Sequence, residues 1–228
     1  MSGHLNPGGQ QFRDDNGAAD PRVAQALTAY AAGEGSEQAA LTALSAARLL
    51  VPVVAVLAGG SAPASGDKNS EMVLPTLIGQ DGRPAVLAFT GLDTLARWRS
   101  NARPVPAEAD RVWRAAVADG CAVVIDVAGP VPLAVEGARL GALAAGQPVP
   151  PAHEDPDVRA EVEAAVAAEP AISGFSLAAS SADGTDLAIR LSLAVRDWEP
   201  VVDRAASSIA ARLAGRLRRG IEFSVAAA

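Results

Sequence analysis

One cysteine, two histidines and one lysine stand among the 228 residues, and aromatics make up 4%. A single cysteine, Cys121, cannot form an internal disulfide, so no covalent staple holds the fold. Metal centres need clustered ligands at fixed spacing. His4 and His153 are far apart, and neither has a second His or Cys within a turn. The acids beside His153 (Glu154, Asp155, Asp157) read as the charged start of a helix. No metal or other cofactor is expected. Cys121 opens an apolar run and behaves as a small hydrophobe, with nothing nearby in sequence to activate it. The longest apolar run, Leu49 to Ala58, falls short of the roughly 20 residues of a membrane helix. No secretory signal is visible, and a cytoplasmic protein without membrane contact is expected.

What is present is 50% hydrophobic residues, 20% charge and a net charge of -7, the composition of a folded acidic chain. The eighteen arginines reflect a bias against lysine and are weak evidence for phosphate recognition. Net negative charge disfavours nucleic acid as a partner.

Asp20-Pro21 and Ser36 open two N-terminal helices. Leu49 to Leu57 reads as a strand with Pro52 at an edge or bulge. A polar loop, Gly59 to Ser70, follows. Glu71 to Gly79 and Ala85 to Phe89 form a hairpin about Asp81-Gly82. Thr90 is expected to cap a short helix, with Asp93 completing a capping box. Trp98 to Val105 reads as a polar turn, Glu108 to Asp119 as a helix and Cys121 to Val127 as a central strand. Prolines then flank a short helix near Glu136 to Ala145.

After a capped helix from Pro156, the order repeats. Ala171 to Ala179 and the strictly alternating Leu187 to Val195 form a hairpin. A helix from Pro200 and a strand from Ile221 to Val225 follow. The expected fold is α+β: two small mixed-sheet lobes, each hairpin–helix–strand, with extra N-terminal helices. The expected divisions are a disordered tail (1–19), a first lobe (20–146), a linker (147–155) and a second lobe (156–228).

Familiar catalytic motifs fail on inspection. Gly60 to Lys68 has glycines and a lysine after a strand, but Asp67 intrudes and the spacing is one too long for a phosphate loop. Gly174-Phe175-Ser176-Leu177-Ala178 lacks the last glycine of a nucleophile elbow and sits in mid-strand. What remains is a concentration of positive charge and aromatics: Lys68, Arg97, Trp98, Arg99, Arg103, Arg111, Trp113 and Arg114. As an exposed patch it would suit an acidic protein or, less readily, RNA. A second arginine cluster (Arg204, Arg212, Arg216, Arg218, Arg219) lies on or beyond the last helix, where the final three complement its C-terminus.

The segment Lys68 to Pro106 resembles the SseB N-terminal domain in its actinobacterial form. The resemblance lies in Leu74-Pro75-Thr76-Leu77, Asp81-Gly82-Arg83, Phe89-Thr90, Leu95, Arg97-Trp98 and Ala102-Arg103-Pro104-Val105-Pro106. It covers residues 36 to 135 and implies an SseB N-terminal-like domain over 20–146. The C-terminal lobe is similar in outline to the second domain of some family members. The resemblance implies a cytosolic protein, and it supplies no catalytic residues to carry over. The expected function is a non-enzymatic interaction or regulatory module with a protein partner. The alternative is a regulator that binds an amino acid or nucleotide in the cleft between lobes, as the serine-sensitivity phenotype behind the family name implies. An enzyme with a site assembled from distant residues comes third. Edge strands and the last helix offer surfaces for a homodimer.

Overall fold

Asp20 opens the first helix as its position predicts. Its carboxylate accepts the Arg22 amide at 2.7 Å, and Pro21 occupies the first turn, where a missing N–H leaves no bond unmade. In the computed structural model, which describes residues 12, 15–57, 70–73, 76–79, 82–182, 185–195 and 197–227, helix α1 spans Pro21–Ala32 and α2 spans Glu37–Ser45. Gly33 ends α1 in the left-handed region (φ 72°), where a side chain would be strained. Ser36 caps α2 by accepting the Ala39 amide at 3.2 Å. Residues 15–19, within the segment expected as a tail, lie against the first lobe. Asp15 pairs with Arg48 at 2.8 Å, and the Gly17 carbonyl accepts the Leu92 amide at 2.8 Å.

Strands β1 (Arg48–Leu57), β2 (Ser70–Val73), β3 (Thr76–Ile78) and β4 (Pro84–Ala88) follow, then helix α3 (Leu92–Trp98). Next come β5 (Arg103–Glu108), α4 (Ala109–Ala118), β6 (Ala122–Ile125), β7 (Leu133–Val135) and α5 (Gly137–Ala144). The first lobe holds two sheets, ordered β2-β1-β5 and β3-β4-β6-β7. The second lobe has α6 (Pro156–Val166), β8 (Ile172–Ala178), β9 (Leu187–Leu193), α7 (Glu199–Leu213) and β10 (Ile221–Ala227), with sheet order β10-β9-β8. The hairpin–helix–strand order holds in the second lobe, whereas in the first β5, a strand of the other sheet, interrupts it between α3 and α4. β4 pairs antiparallel with β3 and parallel with β6, and β9 pairs antiparallel with β8 and parallel with β10.

Three expectations need correction. The segment Glu71–Gly79 is not one strand: β2 pairs with β1 and β3 pairs with β4, so the chain changes sheets between them. Leu74, Pro75 and Asp81, the last of which begins the expected turn, lie outside the described residues. Thr76 and Ile78 face solvent, and Leu77 packs inward.

The second correction concerns the segment read as a polar turn, whose end is strand β5. Leu50 exchanges both backbone bonds with Phe89 at 2.7 and 2.8 Å, so its amide points away from β5. Leu50 faces Pro106, and Pro52 faces Pro104 two residues on. In an antiparallel pair such positions alternate with hydrogen-bonded ones. All three prolines therefore stand where the β1–β5 ladder asks for no amide. Pro52 is thus tolerated inside a central strand, and Pro104 and Pro106 remove the outward donors of the β5 edge.

Third, Thr90 does not cap α3, whose N-cap is Gly91. Thr90 is buried and bonds Asp126 instead: its amide donates to Oδ1 at 2.9 Å and its hydroxyl to Oδ2 at 2.6 Å. The Thr94 hydroxyl adds a bond to Asp126 Oδ1 at 2.6 Å. Asp126 is itself buried and holds a positive φ of 48° at the end of β6. A buried carboxylate with three donors replaces the local cap, because burial without partners would be far more costly.

Two principal cores result. One packs α1, α2, α4 and α5 with β6 and β7, around Tyr30, Leu41 and Trp113. The other packs α6 and α7 on the inner face of the second sheet, around Ile189, Leu191 and Ile209. A small third cluster holds Leu50, Leu87, Phe89 and Leu95.

Candidate functional site

The expected basic patch divides. Trp113 has no exposed surface and belongs to the first core, so its place on an interaction surface is corrected. The apolar stripe of α4 (Ala109, Val112, Trp113, Ala116) turns it inward. Arg111 pairs with Glu108 at 3.2 Å and Arg114 with Asp110, each across one turn of chain. Trp98 is half-buried, its ring centroid 5.6 Å from that of Phe89, with the Arg99 guanidinium 5.1 Å above it. Arg97, Arg99 and Arg103 are exposed and have no carboxylate partner among the described residues. Lys68 and the glycine loop Gly60–Asp67 lie outside the described residues.

Cys121 is half-buried against the first core, and burial, with Asp119 adding to it, pushes its thiol pKa up. That favours the unreactive thiol form. Ser176 lies in mid-strand on β8, opposite Arg190, as its sequence context predicts. Among the described residues no group of three or more His, Cys, Asp or Glu side chains is placed to hold a metal ion. No helix among them is long and apolar enough to cross a membrane.

The polar groups that do converge lie between the lobes. Glu37 in the first turn of α2, Arg139 on α5 and Asp155, the N-cap of α6, are all buried. Arg216, just past α7, reaches into the same seam with its side chain 15% exposed. Arg139 Nη1 donates to Glu37 Oε1. Arg216 donates Nε and Nη2 to Glu37 Oε2, both at 3.2 Å, and Nη2 to Asp155 Oδ2 at 2.6 Å. Two carboxylates thus hold two guanidiniums, and the ion pairs join residues up to 179 positions apart. These partners keep the Arg216 pKa raised against the opposing effect of burial.

Further bonds lie at the same seam. The Tyr30 hydroxyl crosses it to the Gly215 carbonyl at 2.8 Å, and Gln38 Nε2 holds the segment before α6 to the first lobe by donating to the Val149 carbonyl at 2.9 Å. Asp157 Oδ2 accepts the Ala138 amide at 2.8 Å, so α6 supplies a cap that α5 lacks. The segment expected as a linker is docked, with Val149 buried in the first core.

Beside this network lies a cavity of about 240 Å³. The start of α2 (Ser36, Glu37), the docked segment (Pro151, His153) and the second lobe (Ser180, Thr185, Asp186, Arg216, Arg219) line it. Its two arginines differ. Arg216 is engaged by Glu37 and Asp155. Arg219 gives only its backbone amide to Asp186, at 3.0 Å, and its Nε is shut off from solvent with no hydrogen-bond partner among the described residues. Burial is the main cause that pushes the Asp186 carboxyl pKa up, against the lowering effect of Arg219. His153 Nε2 stands 3.5 Å from the Glu154 carboxylate.

A ligand site in the cleft between lobes is among the sequence-based expectations, but none of these residues is assigned to it there. Asp155 reads correctly as a cap, and Arg216 and Arg219 read as complements of a helix C-terminus. Helix α7 ends at Leu213, so these arginines lie beyond it and turn into the seam. His153 and the acids beside it, Asp155 included, read as a metal site only to be set aside as the charged start of a helix.

The fold and its seam define a two-lobe α+β protein with a charged cavity between lobes. A family model described as the SseB protein N-terminal domain matches residues 23–142, from α1 into α5. The chain belongs to the SseB family. No curated protein and no solved structure matches it.

Proposed function

We propose that this chain is a non-catalytic regulatory module whose inter-lobe cavity takes a small polar molecule. The observation that carries this is the cavity itself, built from both lobes and lined by charged and hydroxyl side chains. At about 240 Å³ it lies below the ~300–1,000 Å³ of sites for drug-sized ligands, which points to a small occupant. The non-catalytic reading is supported by how its ionisable groups are engaged: Glu37 by two arginines, and Asp186 by a backbone amide. A thermal-shift screen of amino acids, nucleotides, polyols and simple anions on the whole chain tests it. A saturable rise in Tm with at least one compound is expected; a flat response at millimolar ligand overturns it.

A protein-interaction module is the second reading. It is favoured by the exposed Arg97, Arg99 and Arg103 around Trp98. A pull-down in native salt, comparing the natural chain with a triple Arg→Gln variant, tests that patch. Equal retention by both removes it.

A further inference from the structure

Arg219 gives the cavity a chemical preference; this deepens the reading of the cavity as a ligand site and rests on it. The residue is half-buried and lines the cavity, and its guanidinium makes no hydrogen bond or ion pair among the described residues. An arginine fork left without an acceptor at a recessed site is open to one that a guest supplies. The neighbouring charges do not serve. Glu37 and Asp155 are engaged with Arg139 and Arg216. Asp186 accepts the Arg219 backbone amide, and no hydrogen bond from the guanidinium to it is present among the described residues.

The rest of the wall suits an acceptor as guest. The Ser36 hydroxyl accepts the Ala39 amide and keeps its own hydrogen to donate. His153 lines the same space and can present a ring N–H. A guanidinium presents parallel donors that match the two oxygens of a carboxylate or phosphate. We infer that the cavity binds the oxyanion group of a small molecule, with Arg219 as its charge partner and Ser36 and His153 as further donors. Arg216 stays in the lobe clamp and holds the wall in place.

The test is isothermal titration calorimetry on the whole chain at fixed chloride concentration. Inorganic phosphate and acetate are separate arms, which tell the two oxyanion classes apart. At least one is expected to bind saturably, at one per chain. Arg219→Gln is expected to weaken that binding roughly tenfold or more, the scale of a lost charge-assisted bond. Arg22→Gln, at an exposed site on α1, removes the same charge and is expected to leave binding unchanged. Should Arg219→Gln unfold, Arg219→Lys keeps the charge and loses the fork, and weaker binding is expected there too. Binding of neither anion overturns the inference, as does equal affinity in an Arg219 variant that folds. If neither anion binds while a neutral compound raises Tm, the oxyanion inference fails and the ligand cavity stands. If nothing binds in either experiment, both fail.

Discussion

Replacing Glu37 with glutamine puts the seam between the lobes under direct test. The native carboxylate holds Arg139 through one oxygen and Arg216 through the other. The two arginines respond differently to its loss. Arg216 keeps Asp155 at 2.6 Å and some solvent. Arg139 is 4% exposed, its Nε already lacks a partner, and no second carboxylate reaches it among the described residues. Stranding one member of a buried pair costs about 3–5 kcal/mol, and Arg139 fits that case. Against a total stability of about 5–15 kcal/mol, the change is large. Urea unfolding at neutral pH, followed by tryptophan fluorescence and far-UV circular dichroism, measures it. The midpoint is expected to fall with the slope unchanged. The double variant Glu37→Met with Arg139→Met is expected to recover most of the loss, because it removes the stranded charge as well. A loss under about 1 kcal/mol in Glu37→Gln, the scale of an exposed pair, would refute the reasoning. So would a double variant no more stable than the single one.

Three further outcomes are expected. Replacing Pro104 and Pro106 with valine restores outward amides on the β5 edge, so self-association should rise in size-exclusion chromatography with light scattering; an unchanged profile would show that the prolines do not guard that edge. Burial raises the Asp186 pKa above its ordinary 3.8, so the folded state holds that proton more tightly, and its stabilising contribution, full at low pH, is lost as pH rises through the folded pKa. Asparagine still accepts the Arg219 amide, so the stability of the natural chain relative to Asp186→Asn should fall across that window; a parallel pH dependence of the two refutes the sign. Trp113→Ala should cost about 3–5 kcal/mol as a core deletion, while Trp113→Phe should cost much less because it also removes an indole N–H with no partner among the described residues. Equal losses in the two variants would show that the orphaned N–H is not a burden.

Sequence patterns reached the elements and stopped at the seam. Leu187 to Leu193 alternate buried and less buried residues along β9, and period-two alternation is a local signal. Asp20, Ser36 and Asp155 cap the helices predicted for them, since a cap acts two or three residues away. The failures have a common cause. Thr90 has the spacing of a local cap, yet its partner is Asp126, 36 residues on. Strand β5 was hidden because prolines argue against strands, and the register that makes them harmless depends on β1, some fifty residues earlier. The Trp113 environment was equally nonlocal: its flanking arginines suggested a surface, while the stripe of α4 directs the ring inward.

The seam is the extreme case, and its chemistry bears on regulation. Each lobe buries its own apolar core, and polar contacts join them: Tyr30 to Gly215, Asp157 to Ala138 and the Glu37–Arg216–Asp155 cluster. Polar contacts between buried groups depend on geometry far more steeply than apolar ones, and one unmet partner changes the sign of their contribution. Arg219 lies three residues beyond the clamp arginine on the same connecting segment and faces the same cavity. An anion drawn to Arg219 would therefore act on the segment that holds the lobes together, and binding of a small molecule would alter how firmly they are joined. That link requires the Glu37 variant to change anion affinity as well as stability. Affinity unchanged in a folded Glu37→Gln chain would separate the cavity from the clamp.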